Sequence, residues 1–568
     1  MRKAKKYGRV LGMFFFISIL ALSMIPTRAS RPEGPASIRG LNLVTNDQKT
    51  GHPKLQSELS RLVDIYAVQG DERAQDYAEV KKIQRRGDSV RVVTAFNPLP
   101  SRISGDRLLS IVENRIAVLG GKVETSYRNE VQHYIPMTSL LALADDPLVR
   151  YVRLPLKAVP LEVISEGVAK TGANLWSGLQ PYHVSENPRI CVLDIGFQGY
   201  QGLLGRELPP SVTAKSFRAD GDITGGGEIH GAACAEIVYD MAPKAQMWLV
   251  NFETDIDQHN AVDYIVKQGI QVISYSVGWF NAGAGDGTGP IDADVDKAAA
   301  DGILWASSAG NSALDHWNGT FNDPDGDGLL NFSGSDEFWQ FHVPANQPLG
   351  VFLNWKDWGA WDGVNYKGSN QDYDLTLYVW NGTTWQFVDE STNVQNGTQW
   401  PTEEISGWYS TQPLFWAVTV NKVHATKNVV LELFAEGNDQ TVKYNVMSSS
   451  LLIPADSPSA ITAGASDWFD DVLHAYSSQG PTYDGRIKPD LTAPSGVSTV
   501  TYGPAVYHQA GFFGTSASAP HVAGACGLFR GDTPYSVSQV MTILRKRALD
   551  LGAVGPDNLY GYGRLNLK

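Results

Sequence analysis

From Arg189 onward the apolar runs of this chain alternate between two periodicities, and that alternation limits the fold more than any other feature. Short continuous apolar runs at about 190–193, 245–251, 271–276 and 303–307 read as buried strands. Between them, 230–239, 259–268 and 293–300 carry apolar residues at helical spacing. Strands separated by helices pair in parallel, with helices covering both faces of the sheet. The pattern breaks after Asn311. From Ser312 to about Ser450 the chain is rich in Trp, Asn, Gly and Thr, with alternating runs such as Asp374-Leu375-Thr376-Leu377-Tyr378-Val379-Trp380. Ten of the fifteen tryptophans fall there, so this stretch reads as a separate β-sandwich of jelly-roll type. The first pattern resumes near Ala460-Ile461-Thr462-Ala463-Gly464.

Three blocks in the alternating region carry chemistry. Arg189-Ile190-Cys191-Val192-Leu193-Asp194 is a buried-strand pattern ending in a carboxylate, at the end of a strand where α/β folds place their sites. Gly225-Gly226-Gly227-Glu228-Ile229-His230-Gly231 leads into a helical pattern that His230 opens. Gly514-Thr515-Ser516-Ala517-Ser518-Ala519-Pro520-His521-Val522-Ala523-Gly524 sets Ser516 at a helix N-terminus, with Pro520 expected in the first turn, where a missing N–H is tolerated. Exposed N–H groups and the helix dipole there favour developing negative charge, the setting a hydroxyl nucleophile needs beside its base. The last block closely resembles the nucleophile block of subtilisin-like serine proteases, the subtilase family. The order Asp, His, Ser is also the order of that family.

The resemblance implies roles. Ser516 is the nucleophile, His230 the general base and acid, and Asp194 the group that orients the imidazole. Trp305-Ala306-Ser307-Ser308-Ala309-Gly310-Asn311 resembles the oxyanion block and makes Asn311 the side-chain donor. Ser276, Val277 and Gly278 resemble the strand that pairs with an extended substrate. Ser477-Ser478-Gln479-Gly480-Pro481, Lys488-Pro489-Asp490-Leu491-Thr492-Ala493-Pro494 and the closing Asn558-Leu559-Tyr560-Gly561-Tyr562-Gly563 extend the likeness. Ile195, Ala232 and Ala517 depart from the family's usual residues, which bears on rate and substrate range. Ser518 points to another side of its helix, and His521 lies five positions past Ser516, so His521 reads as structural. The implied fold is a subtilisin-like three-layer, doubly wound α/β sheet. Its catalytic domain covers 159–311 and 452–568, with the sandwich inserted at 312–451.

The N-terminal third reads differently. A basic start, an apolar run over 11–25 and Thr27-Arg28-Ala29 suggest a secretory signal peptide over 1–29, with an uncleaved anchor as the alternative. Residues 35–86 are polar and partly helical. Over about 89–155 the order β-α-β-β-α-β is that of a ferredoxin-like α+β unit. That unit resembles the inhibitory propeptide of subtilases, which puts a propeptide at 30–158 and processing between about 155 and 174. The net charge of −14 argues against nucleic acid as a partner. Only Cys191, Cys234 and Cys526 are present, so this is no disulfide framework, and all three read as small buried residues.

The sandwich offers one candidate metal site. Asp323-Pro324-Asp325-Gly326-Asp327-Gly328 alternates carboxylates around a glycine turn, and Asn331 can add an oxygen, so a structural calcium stands beside a plain acidic turn as a reading. Asp336 and Glu337 fall off the register of an EF-hand loop. Catalysis itself needs no cofactor under the resemblance. Gln371-Asp372-Tyr373-Asp374-Leu375 is similar to prepeptidase-type domains of secreted bacterial peptidases. Because the insert enters directly after Asn311, its body is expected to overhang the substrate cleft. The expected function is a secreted serine endopeptidase made as a zymogen, acting on proteins or peptides and held by its own propeptide, with no membrane span once the signal is removed. The alternative is a catalytically weak or inactive subtilase scaffold that binds partners through its insert.

Overall fold

The computed structural model describes residues 51–81, 83–97, 105–156, 159–160, 165–176, 187–507, 509–530 and 535–568. The expected signal segment and part of the expected processing region lie outside them.

Seven parallel strands form the central sheet. Across it they run Leu491–Ser495, Ala460–Asp467, Leu304–Ser308, Val272–Tyr275, Arg189–Asp194, Gln246–Asn251 and Thr213–Ser216. The chain enters at Arg189–Asp194, builds outward on one side, then crosses to Val272–Tyr275 on the other. Leu193 pairs with Tyr275 in that register. Asp194 and Ser276 therefore leave the sheet side by side at the point where strand order reverses, the usual crevice of a doubly wound sheet.

The helices fall where the apolar spacing put them, with shifted ends. The helix expected over 259–268 is Asp255–Lys267, because the Thr254 side chain accepts from the Asp257 N–H and starts it earlier. Pro290 opens the next helix, Pro290–Ala300, at a position where its missing N–H costs nothing. The helix Thr515–Arg530 runs through the middle of the domain, buried at every residue from Thr515 to Phe529.

The N-terminal unit has strand order Val149–Arg153, Ser89–Phe96, Glu130–Pro136, Lys122–Tyr127, antiparallel throughout. Residues 57–80, which the sequence left without a fold, form two helices, Ser57–Gln69 and Asp71–Val80. Gly70 joins them at φ +87°, a backbone region costly for other residues. Leu59, Leu62 and Ala74 from this hairpin share one core with Val90, Val92 and Val149 of the sheet.

The stretch after Asn311 forms two four-stranded antiparallel sheets packed face to face. One holds His316–Thr320, Val430–Glu436, Pro348–Trp355 and Thr402–Tyr409; the other holds Trp339–Val343, Leu414–His424, Asp372–Trp380 and Trp385–Ser391. Alternation buries Tyr373, Leu375 and Leu377. Trp317, Trp339, Trp355 and Trp416 fill the space between the sheets, which accounts for much of the tryptophan excess without a ligand.

Within the second part of the parallel domain, a buried ion pair joins the strand Ala460–Asp467 to the segment that leads into Leu491–Ser495. Lys488 Nζ donates to Asp490 Oδ2 at 2.7 Å, to Thr462 Oγ1 at 2.9 Å and to the Ala460 carbonyl at 3.0 Å. Burial raises the Asp490 carboxyl, but Lys488, Arg545 and the Thr462 N–H outweigh it and hold it below its ordinary value. Lys488→Met removes one partner and leaves the buried carboxylate undercompensated. The expected loss is about 3–5 kcal/mol, read as a lower denaturant midpoint.

Candidate active site

Asp194 ends its strand fully buried, and its carboxylate faces His230. His230 Nδ1 lies 2.8 Å from Oδ1 and 2.9 Å from Oδ2 of Asp194. The Ile195 N–H donates to the same Oδ1 at 2.8 Å, so the departure at Ile195 keeps the backbone bond that fixes the carboxylate. His230 opens the helix His230–Met241, and Gly231 lets that helix close on the strand end. A Cβ there would stand 2.9 Å from Asp194 Cβ and 2.6 Å from the Gly196 carbonyl. Ala232 is fully buried in the core behind the pair, which is where that second departure acts. The Phe512 ring lies 6.1 Å from the imidazole.

Ser516 is the second residue of its helix, which packs against the His230 helix. Its hydroxyl donates to the Ser276 carbonyl at 3.1 Å, and the Ser276 hydroxyl donates back to the Ser516 carbonyl at 3.0 Å. That second bond corrects the expectation for Pro520. Pro520 is the sixth residue of Thr515–Arg530, past the first turn, so its missing N–H orphans the Ser516 carbonyl in the interior. Ser276 supplies the substitute donor. Cys234 Sγ also approaches that carbonyl, at 3.8 Å, and lies in one cluster with Asp194 and His230. Burial, with the Asp194 charge adding to it, holds the Cys234 thiol well above its ordinary pKa, in keeping with a packed residue. All three cysteines are free and buried.

Asn311 is fastened from the other side. Its Oδ1 accepts from the Thr515 N–H at 2.8 Å and from Thr515 Oγ1 at 3.0 Å. With the oxygen held, the amide nitrogen is the end left to donate, one residue from Ser516. Thr515 went unnoticed as a positioning residue in the sequence, although it stands inside the nucleophile block. Val277 and Gly278 form a short strand whose antiparallel partner is Val159–Pro160, Val277 opposite Pro160 and Gly278 opposite Val159. Asp194, His230, Ser276 and Ser516 are each no more than 1 % exposed.

The candidate metal loop is a separate place on the sandwich. Carboxylate oxygens of Asp323, Asp325 and Asp327 lie within 4.8 Å of one another. Asp323 accepts from the Gly326 N–H at 2.7 Å and the Gly328 N–H at 3.2 Å. Asn331 closes the loop through its N–H to the Asn322 carbonyl at 2.8 Å, and its buried amide atoms have no hydrogen-bond partner among the described residues. Partial burial, then the charges of Asp327, Asp325, Asp336 and Asp323, raise the carboxyl of Glu337, which is off register in the sequence.

Residues 392–563 match the subtilase family, peptidase S8. The match holds Ser516 and begins inside the sandwich, leaving Asp194, His230 and Asn311 outside it. Over 145 residues, 25% of this chain and 47% of the relative, the sequence is 33% identical to subtilisin BL of Lederbergia lenta. Over 56 residues, 10% of this chain and 5% of the relative, it is 45% identical to an extracellular serine protease of Serratia marcescens. The chain thus spans less than half the length of these curated relatives. Among solved structures, the CspB protease of Clostridium perfringens aligns over 70% of this chain and 97% of its own, with a TM-score of 0.46 and 15% identity. Fervidolysin from Fervidobacterium pennivorans, a keratinolytic enzyme related to subtilisin, aligns over 85% and 61%, with a TM-score of 0.43 and 13% identity. Sheet order and site together define a doubly wound α/β protein with its polar cluster at the switch point. The subtilase match is carried by the C-terminal part of the chain, the part that holds Ser516.

His521 lies apart from this cluster. Its Nδ1 faces the Ala517 carbonyl at 2.7 Å and its Nε2 faces Ser165 Oγ at 3.2 Å. Burial pushes its pKa down to about 4, so the folded protein keeps it neutral while the unfolded chain takes up a proton below about 6.5. Between those values acid favours unfolding, and the cost grows as pH falls. His521→Gln removes that term. Its melting temperature relative to wild type is expected to rise as pH is lowered from about 6.5 to about 4, and thermal scans across that range check it.

Proposed function

We propose that this chain is a secreted serine endopeptidase made as a zymogen. The observation that carries the reading is the buried Asp194–His230 pair beside Ser516, with Asn311 anchored to the neighbouring Thr515. With Asp194 on Nδ1, proton transfer falls to Nε2 of His230. The Ser516 hydroxyl leaves the Ser276 carbonyl, gives its proton to Nε2 and attacks the peptide carbonyl carbon. The oxyanion that forms takes a hydrogen bond from Asn311 Nδ2, aided by the helix N-terminus. Collapse expels the amine, which takes the proton from His230. Water then repeats the sequence on the acyl ester and restores Ser516.

The zymogen reading draws on Val159–Pro160. This segment lies antiparallel on Val277–Gly278, as an extended substrate would. Past the gap, Ser165 is already hydrogen-bonded to His521, and Glu166 accepts from Ser498. The bond to be cut is therefore expected within 161–165, a narrower window than the sequence allowed. Secretion rests on the basic and apolar start of the sequence, and the Serratia marcescens relative is itself named extracellular.

A fluorophosphonate probe is expected to label processed protein at Ser516 only, and His230→Ala to abolish labelling. Ser516→Ala is expected to accumulate as uncut precursor. Labelling that survives His230→Ala, or a wild-type protein that is processed yet never labels, overturns the endopeptidase and favours the binding scaffold.

We also propose that the Asp323, Asp325, Asp327 loop, with Asn331, holds a structural calcium. Alternating carboxylates and a buried amide lacking partners are the donor set a hard cation takes. A chelator is expected to lower the melting temperature of the wild type, calcium to restore it, and Asp325→Ala to remove both responses.

A further inference from the structure

We infer that the inserted sandwich is a second holdfast for the N-terminal unit, so that cutting the chain and freeing the site are separate events. The inference rests on the zymogen reading above. It comes from where the N-terminal unit finds its polar partners. One side of that unit lies on the parallel domain at the start of Asp255–Lys267. There Arg91 donates to Glu253 at 3.1 Å, Thr254 to Gln132 at 2.9 Å and Asn260 to Thr125 at 2.8 Å. Tyr127 stacks on His259 at 4.4 Å.

The helical hairpin on the other side is held by the sandwich. Lys81, at the end of Asp71–Val80, has a side chain 2 % exposed. Its ammonium stands between Glu58 of its own unit, at 3.3 Å, and Asp389 of the sandwich. The Trp408 ring lies 5.5 Å beneath it, and Trp408 Nε1 donates to the same Asp389 carboxylate at 2.9 Å. Arg61 adds a second cation 3.5 Å from Asp389. The Ser57 N–H donates to Asn393 at 2.8 Å, so the sandwich takes one of the orphan donors at that helix start. Backbone meets backbone at Gly407, where a Cβ would stand 2.5 Å from the Val80 carbonyl.

None of these contacts involves the segment to be cut. Cleavage within 161–165 removes one covalent link and leaves both platforms in place. Separating the units forfeits the low-dielectric attraction between Lys81 and Asp389 together with the Arg61 and Asn393 contacts, and these set the strength of the hold against the gain from rehydrating the charges. The cleaved N-terminal unit therefore stays seated, with Val159–Pro160 still on the substrate strand, until the sandwich lets go. The insert thereby sets the delay between self-cleavage and activity.

The test follows cleavage on gels, co-elution of the cleaved N-terminal piece by size exclusion, and the onset of ester hydrolysis in full-length protein. Two variants leave the reacting residues untouched. Asp389→Ala removes the shared carboxylate. Ser57→Pro deletes the N–H offered to Asn393 and the hydroxyl 3.5 Å from Ser391, both contacts to the sandwich, at a first helical position where proline is accepted. Wild type is expected to show a lag between cleavage and activity. Asp389→Ala is expected to shorten it at least about tenfold and Ser57→Pro about threefold, with cleavage rate unchanged. In the uncut Ser516→Ala background, Asp389→Ala is expected to raise hydrogen exchange across 57–69, which reads the clamp without any catalysis. Unchanged lag in both variants, or unchanged exchange in the uncut protein, overturns the clamp. Failure of Ser516 to label overturns the endopeptidase reading while the exchange result still decides the clamp.

Discussion

The structure depends on a helix that has no solvent face. Thr515 to Phe529 is buried along its whole length, so each polar atom in it must find a partner inside the protein. Its backbone bonds settle most of that demand, and Pro520 leaves one carbonyl, that of Ser516, without its usual donor. Ser276 answers it with a hydroxyl and accepts the Ser516 hydroxyl in return. The strand end at the switch point and the start of the central helix are thus stitched together at two atoms. Close approach makes the rest possible. A Cβ on Gly524 would stand 2.3 Å from Met241 Cβ, and one on Gly527 would stand 2.5 Å from Ile190. Those two glycines let the helix lie against the His230 helix and the Asp194 strand closely enough to gather one site.

Much of this was legible because it is local. Arg189–Asp194 announces a buried strand through its apolar run, and the two helices carrying His230 and Ser516 announce themselves through glycine and spacing. What escaped the sequence depends on partners far along the chain. Thr515 looks like any residue of its block until Asn311 arrives beside it from more than two hundred positions earlier. Pro520 was placed in the first turn because a helix start cannot be fixed to better than a turn without its cap. Residues 57–80 read as partly helical, but their packing is not legible, because the stretch is polar over much of its surface and its burial comes from a sheet and a sandwich that local periodicity does not reveal.

The sandwich changes how the whole arrangement is held. In a two-part protein, the N-terminal unit would rest on the parallel domain alone. Here it is pressed between two bodies, with the buried Lys81 charge on one side and the Arg91 and Arg153 contacts to Glu253 and Asp255 on the other. Polar and charged contacts position the N-terminal unit, whose apolar burial lies in its own core, whereas the sandwich and the parallel domain also share apolar clusters around Phe280, Phe352 and Leu452 and around Ala284, Trp358 and Tyr366. The cavity of about 290 Å³ where the three bodies meet, lined in part by Lys81, Arg153, Phe280 and Trp400, marks a seam packed less tightly than any of those cores.

The position of the sandwich between two paired strands also orders events during synthesis. Leu304–Ser308 and Ala460–Asp467 are neighbours in the sheet, with Trp305 opposite Ala460, yet the whole sandwich separates them in the chain. A growing polypeptide has strands up to Ser308 ready while the edge they need is still unmade. The sandwich, whose strands pair among themselves, is complete before that edge emerges. The helix Thr515–Arg530 comes later still, more than two hundred residues behind Asn311. A chain interrupted anywhere between the sandwich and Ser516 therefore leaves the ribosome with most of the scaffold built and without the hydroxyl that the proposed chemistry requires.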